Sequence, residues 1–194
     1  MKPRLCAGLA CLLAAALPRH WLEASMLRHM LLQLPLLLTA GWLLSASPVP
    51  RWFQRAAIFD QQGICGLTAL LFISAYWMIP RALEQSINLP LAEAAKFISL
   101  PLLGAILPGS LRRANWIVQL FYLGNFSWMT AIAGIQYQNM PQRLCNAYLL
   151  DDQAWTGIAL TVAAVIIAIF WCWRLAPAFL FHSTKANQHA SPAS

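Results

Sequence analysis

The apolar residues of this chain are gathered into runs about as long as a bilayer is thick, and that feature restricts the fold more than any other. A helix rises about 1.5 Å per residue, so crossing a hydrocarbon core takes about 20 mostly apolar residues. Runs of this kind, bounded by charged, proline-rich or polar residues, cover 26–46, 63–80, 94–107, 114–136 and 156–175. The third is short and holds Pro101 and Pro108, a pattern expected of a kinked or partly re-entrant segment. Composition agrees: 60% of the residues are hydrophobic and 10% charged, against roughly 25% charged in soluble domains. The expectation is an all-α, polytopic transmembrane helix bundle. It has about five full spans plus a short N-terminal apolar helix, in one domain over 1–183, followed by a disordered tail over 184–194.

The N-terminal run over 5–17 follows Lys2 and Arg4 and ends in three alanines, so it reads as a cleaved signal or as a short retained helix. With it retained, alternation of the loops sorts the basic residues unevenly. Lys2, Arg4, Arg51, Arg55, Arg112, Arg113, Arg174 and Lys185 fall on one side, and Arg19, Arg28, Arg81, Lys96 and Arg143 on the other. The richer side is expected to be cytoplasmic, with both termini inside. The net charge of +7 is then topological information and does not point to nucleic acid, since Arg112 and Arg113 are the only adjacent basic pair.

The sequence contains no nucleophile elbow, zincin, phosphate-loop or dinucleotide motif, so no enzyme class is indicated. Four of the five cysteines lie in apolar runs and one, Cys145, in a loop; without CxxC spacing they read as packing residues. Trp21, Trp52, Trp77, Trp116, Trp155, Trp171 and Trp173 fall near the expected span ends, where an indole suits the headgroup level.

Polar groups inside lipid are costly, so those that occur are informative. At 100° per residue Glu23, Met26, His29, Met30 and Gln33 share one helix face. Imidazole with thioether is a donor set for a soft ion such as copper(I), although single histidines and methionines also serve as packing groups. A second stripe, Asn115, Gln119, Tyr122, Asn125, Met129 and Gln136, marks either interhelical hydrogen bonds or the wall of a pathway. Asp151, Asp152 and Gln153 precede the last run, where Asp152 either caps a helix or approaches His29 from the same side of the membrane.

Two stretches carry a likeness to a known family. SMLRHMLLQLPLLLTAGWLLSASP, residues 25–48, resembles the HMxxHMLL segment of the multi-pass CtaG-type cytochrome c oxidase assembly proteins. LLDDQAWTGIAL, residues 149–160, is similar to that family's DQxxxG segment, matching Asp152, Gln153 and Gly157; residues 69–80 resemble its apolar span ending in tryptophan. The chain departs from the pattern where Ser25 stands in place of the first histidine, where 58–66 lacks a histidine, and in having one span fewer than the family's seven.

The resemblance implies a non-enzymatic accessory protein that assembles, or delivers copper to, a respiratory cytochrome c oxidase or similar copper enzyme. Its partners would be membrane lipid and another membrane protein such as an oxidase subunit. The expected metal residues are His29, Met26, Met30 and Asp152, and the expected polar face comprises Gln33, Asn115, Gln119, Tyr122, Asn125 and Gln153. Two rival expectations stand beside it: a small transporter or channel lined by the second stripe, and a structural subunit of a larger membrane complex.

Overall fold

The computed structural model describes residues 3–45 and 57–190, with side chains described as far as residue 176 except at 57 and 59. The described residues are almost entirely helical and contain no strand. In chain order the helices are α1 (Pro3–Ala16), α2 (Arg19–Glu23), α3 (Met26–Leu44), α4 (Ile64–Trp77), α5 (Pro80–Asn88), α6 (Pro90–Arg113), α7 (Trp116–Asn139) and α8 (Leu150–Ala190). A short 3₁₀ turn, Ala57–Asp60, precedes α4. Lys2, Pro48, Pro50, Arg51, Trp52 and Arg55 lie outside the described residues, as do the last four residues of the expected tail.

Three helices are long and apolar enough to cross a membrane: α3, α6 and the Leu150–Ala176 part of α8. A fourth crossing is reached if α4 and α5, which meet at a 73° bend, are taken as one broken span. The expectation of five full spans is therefore reduced. The run over 63–80 ends early because Pro80 starts a new helix after Ile79 turns extended (φ −77°, ψ 123°). The run over 114–136 does form one helix, α7, but Gln119, Asn125, Ser127, Thr130 and Gln136 make it too polar to stand with the other three. The run over 94–107 grows in the other direction. It becomes the 24-residue α6, which carries Pro101 and Pro108 without a break.

Neighbouring helices run as the sequence order demands. Close pairs Ala15–Gln33 and Gly8–Leu44 set α1 antiparallel to α3, whereas Lys96–Gln33 and Gly104–Leu38 set α6 parallel to α3. Helices α7 and α8 form an antiparallel pair through Ser127–Ala164 and Gln138–Thr161. Because lipid tails are as apolar as leucine, such pairs are held by close packing and hydrogen bonds rather than by hydrophobic burial. The closest approach is between α3 and α6, where a Cβ on Gly41 would lie 1.9 Å from the Pro101 carbonyl oxygen and one on Gly104 would lie 1.9 Å from that of Leu38. Only glycine fits at either place.

The outer surface is apolar. Phe72, Trp128, Trp155, Ile169 and Trp173 are each more than three-fifths exposed, the pattern of side chains that face lipid rather than water. Trp77 departs from the expected interfacial ring. It is buried among Ala15, Leu37 and Leu100, and its indole N–H donates to Ser99 Oγ at 3.0 Å.

Two ends of the bundle differ in chemistry. At one end Asp60 closes the 3₁₀ turn: its carboxylate accepts from Ser110 Oγ (2.5 Å), Arg113 Nη2 (2.5 Å) and the Gly66 backbone N–H (3.2 Å). Burial raises the Asp60 pKa, but these hydrogen bonds and the Arg113 charge outweigh it and hold the carboxyl below its ordinary value. At the other end, where α3, α6 and α8 begin, the polar side chains converge on a single buried lysine.

Candidate functional site: a saturated ammonium at His29

Lys96 lies in the second turn of α6 and is fully buried. An isolated buried ammonium is among the most costly groups a fold can hold, so its surroundings must supply acceptors. Three do. Its Nζ donates to Glu23 Oε1 at 2.6 Å, to His29 Nε2 at 3.1 Å and to Gln33 Oε1 at 3.1 Å. An ammonium has three protons and no acceptor capacity, so this coordination uses it completely.

The same count assigns the neighbouring protons. Because Lys96 donates to Nε2, the His29 ring carries its proton on Nδ1, which faces the Tyr148 hydroxyl at 2.8 Å. The Gln33 amide points its oxygen at Lys96 and its nitrogen at the Ala15 carbonyl (3.1 Å) and Glu23 Oε1 (3.2 Å). The chain Tyr148–His29–Lys96–Glu23–Gln33 thus joins α1, α2, α3, α6 and the loop after α7. No buried side-chain nitrogen or oxygen among the described residues is left without a partner. A rim pair, Arg19 with Glu93, closes the site toward the end of the bundle.

Backbone geometry explains how residues from one short segment reach this point. Residues His29–Gln33 form a π-helical turn, closed by the Leu34 backbone N–H donating to the His29 carbonyl five residues back. Pro35 sits just after it. Proline has no N–H to give the carbonyl four residues earlier and crowds it, so a widened turn before Pro35 relieves both problems. Glu23 belongs to α2 rather than to the helix of His29, yet the turn at Ala24 and Ser25 returns it to Lys96.

The two stretches that carry the family likeness meet here. Ser25 Oγ donates to Asp152 Oδ1 at 2.8 Å and the Met26 backbone N–H donates to Oδ2. Asp152 therefore caps α3 from across the bundle, while its own carbonyl accepts from Thr156 Oγ1 at 2.6 Å. Gln153 is buried and bridges the Tyr137 carbonyl (3.1 Å) and the Leu144 N–H (2.9 Å), tying α8 to the end of α7 and the following loop. Met26 and Met30 are buried with Leu83, Tyr137, Cys145, Tyr148 and Leu160 in one apolar cluster.

The expected metal residues are thus close together, but the nitrogen and oxygen donors among them are already engaged within the protein. Both nitrogens of His29 are engaged, and the group on Nε2 is a cation that would repel another. Both oxygens of Asp152 accept from protein donors. Burial raises the Cys145 thiol, disfavouring the thiolate a metal would need. Burial, then nearby Cys145, Glu23 and Asp152, likewise raises the Tyr148 hydroxyl above its ordinary value and keeps it protonated. Among the described residues no three His, Cys, Asp or Glu side chains group as a metal site.

The second polar stripe divides into separate local tasks. Asn115 caps α7 by accepting from the Val118 N–H at 2.8 Å, and Gln119 donates to the Leu111 and Ala114 carbonyls at the end of α6. Tyr122 pairs with Thr68 on α4 at 2.9 Å, and Asn125, which is exposed, donates to the Phe121 carbonyl at 2.7 Å. Sequence reasoning missed Lys96 and Tyr148. Lys96 carried a visible signal, being the one charge between Glu93 and Arg112 in an otherwise apolar segment.

No family model, curated protein or solved structure matches this chain.

Proposed function

We propose that the chain is a membrane accessory protein that assists assembly of a respiratory copper oxidase, or a similar metalloenzyme, by docking to one of its membrane subunits without carrying copper itself. The observation behind this reading is Lys96 Nζ at 3.1 Å from His29 Nε2. The histidine that the resemblance would make a ligand is held by an internal cation, and the position expected to hold its partner histidine is Ser25, hydrogen-bonded to Asp152. The ammonium does locally what a bound metal would do: it fixes the imidazole tautomer and ties α2, α3 and α6 into one end of the bundle.

In this reading that end faces outward and the Asp60 end, with Arg112 and Arg113, faces the cytoplasm together with both termini. The docking face is α5 with the loop that follows α7. Helix α5 is amphipathic, leaving the bundle at the 73° bend with Ala82, Leu83 and Ser86 buried beneath it. Its polar side and that loop frame a cavity of ≈ 440 Å³ lined by Arg81, Glu84, Gln85, Asn88, Leu144 and Asn146, able to receive polar side chains of a partner.

The test is genetic. Deleting the gene is expected to lower oxidase activity and oxidase-bound copper in the host membranes, with both restored by the wild-type gene but not by an Arg81→Ala/Asn88→Ala form that accumulates normally. Full oxidase assembly in the deletion strain would overturn the proposal.

A further inference from the structure

Below the polar end the helices part. Helix α8 packs on the first turns of α3, through Asp152 and the π-helical turn, and makes little contact with α3 beyond Leu34. The gap opens into a cavity of ≈ 290 Å³ inside the bundle, walled by Met30, Leu38, Met78, Phe126, Leu160 and Ile167 among others. We infer that this cleft is a binding site for one acyl chain of a bilayer phospholipid, which enters between α3 and α8.

Two observations argue against other occupants, and the volume and position of the cleft favour an acyl chain. Water needs polar partners in such a space, and the hydroxyls in the wall are already spent: Ser74 on the Leu70 carbonyl, Thr130 on the Phe126 carbonyl at 2.8 Å. A helix from another protein is too large, since an apolar cavity of about 150 Å³ is filled by a molecule the size of benzene. A hydrocarbon chain of roughly twice that volume fits ≈ 290 Å³ and no polar group on it is required. Finally, the mouth residues Leu31, Pro35, Ala163 and Ile167 lie on helices apolar enough to cross the membrane, so the cleft opens at the depth of the lipid tails. Met30 and Met78, flexible and polarizable, suit a wall that must adapt to a moving chain.

The test uses the full chain in nanodiscs containing a phospholipid with a diazirine midway along one acyl chain. Light-driven labelling is expected at Met30, Met78 and Phe126 above that at the lipid-facing Phe72 and Ile169. Ala163→Trp at the mouth, and independently Leu38→Trp on the facing helix, are expected to abolish the cavity label while Phe72 and Ile169 stay labelled. That unchanged belt labelling, with unchanged helical circular dichroism, distinguishes a blocked cleft from a misfolded chain. Cavity labelling no greater than belt labelling, or cavity labelling that survives both tryptophans, would overturn the assignment. So would labelling by a free diazirine fatty acid but not by the phospholipid, which would make the occupant a soluble amphiphile rather than bilayer lipid.

Discussion

Lys96 Nζ stands 3.1 Å from His29 Nε2, and that contact decides the chemistry of the whole end of the bundle. It fixes the imidazole proton on Nδ1, saturates a buried ammonium, and leaves the histidine no free nitrogen. The first prediction follows from charge pairing. Lys96→Met strands the Glu23 carboxylate in a buried site and is expected to destabilise the protein by about 3–5 kcal/mol, whereas the double variant Lys96→Met/Glu23→Gln recovers most of the loss. Thermal unfolding in mild detergent measures both. A single variant as stable as the wild type would mean that the pair is not buried in the folded protein.

Tyr148→Phe removes the acceptor for the His29 Nδ1 proton without disturbing the ammonium. The expected cost is smaller, about 1–3 kcal/mol, the penalty for one unsatisfied buried donor. The ranking Tyr148→Phe milder than Lys96→Met, read from the same unfolding curves, is the informative outcome.

The α3–α6 contact predicts a contrast among glycines. Gly41→Ala and Gly104→Ala each drive a methyl group against backbone at 1.9 Å, and are expected to cost about 1–3 kcal/mol or more because neither carbonyl can rotate away. At Gly124 an added Cβ meets nothing within 4 Å, so Gly124→Ala is expected to stay within about 0.5 kcal/mol of wild type.

At the opposite end the Asp60 carboxyl has a folded pKa below its ordinary 3.8. A depressed carboxylate contributes stability in full above the unfolded value, and the contribution disappears as pH falls through the lower folded value. Unfolding temperature is therefore expected to fall as pH drops below about 4. Asp60→Asn should be less stable at neutral pH and show a flatter acid limb; an acid limb identical to the wild type's would contradict the role given to the Ser110 and Arg113 contacts.

Much of this architecture was legible in the sequence. Apolar run lengths located α3, α6, α7 and α8, because bilayer thickness imposes a length that composition reveals directly. The face of Glu23, Met26, His29, Met30 and Gln33 was read on an ideal helix, which the chain does not form. The turn at Ser25 and the π-helical turn replace it, yet Glu23, His29 and Gln33 still meet at Lys96. Lys96 was counted only as a basic residue of one membrane side, although the run over 94–107 already contained it. Pro90 starts α6 four residues sooner and carries the lysine inside. Tyr148 gave no local signal, since only tertiary packing brings its loop over His29. The number of crossings was overstated where proline divides α4 from α5 and where amides and hydroxyls dilute α7.

The central claim is that an internal ammonium occupies the position at His29 where a metal ion would bind, and copper(I) titration of the purified protein against a competing chelator tests it most directly. The wild type is expected to take up no stoichiometric copper(I), and Lys96→Met/Ser25→His, which removes the cation and supplies a second imidazole four residues from His29, is expected to gain a site. One equivalent of copper(I) bound by the wild type and lost in His29→Ala would contradict the account.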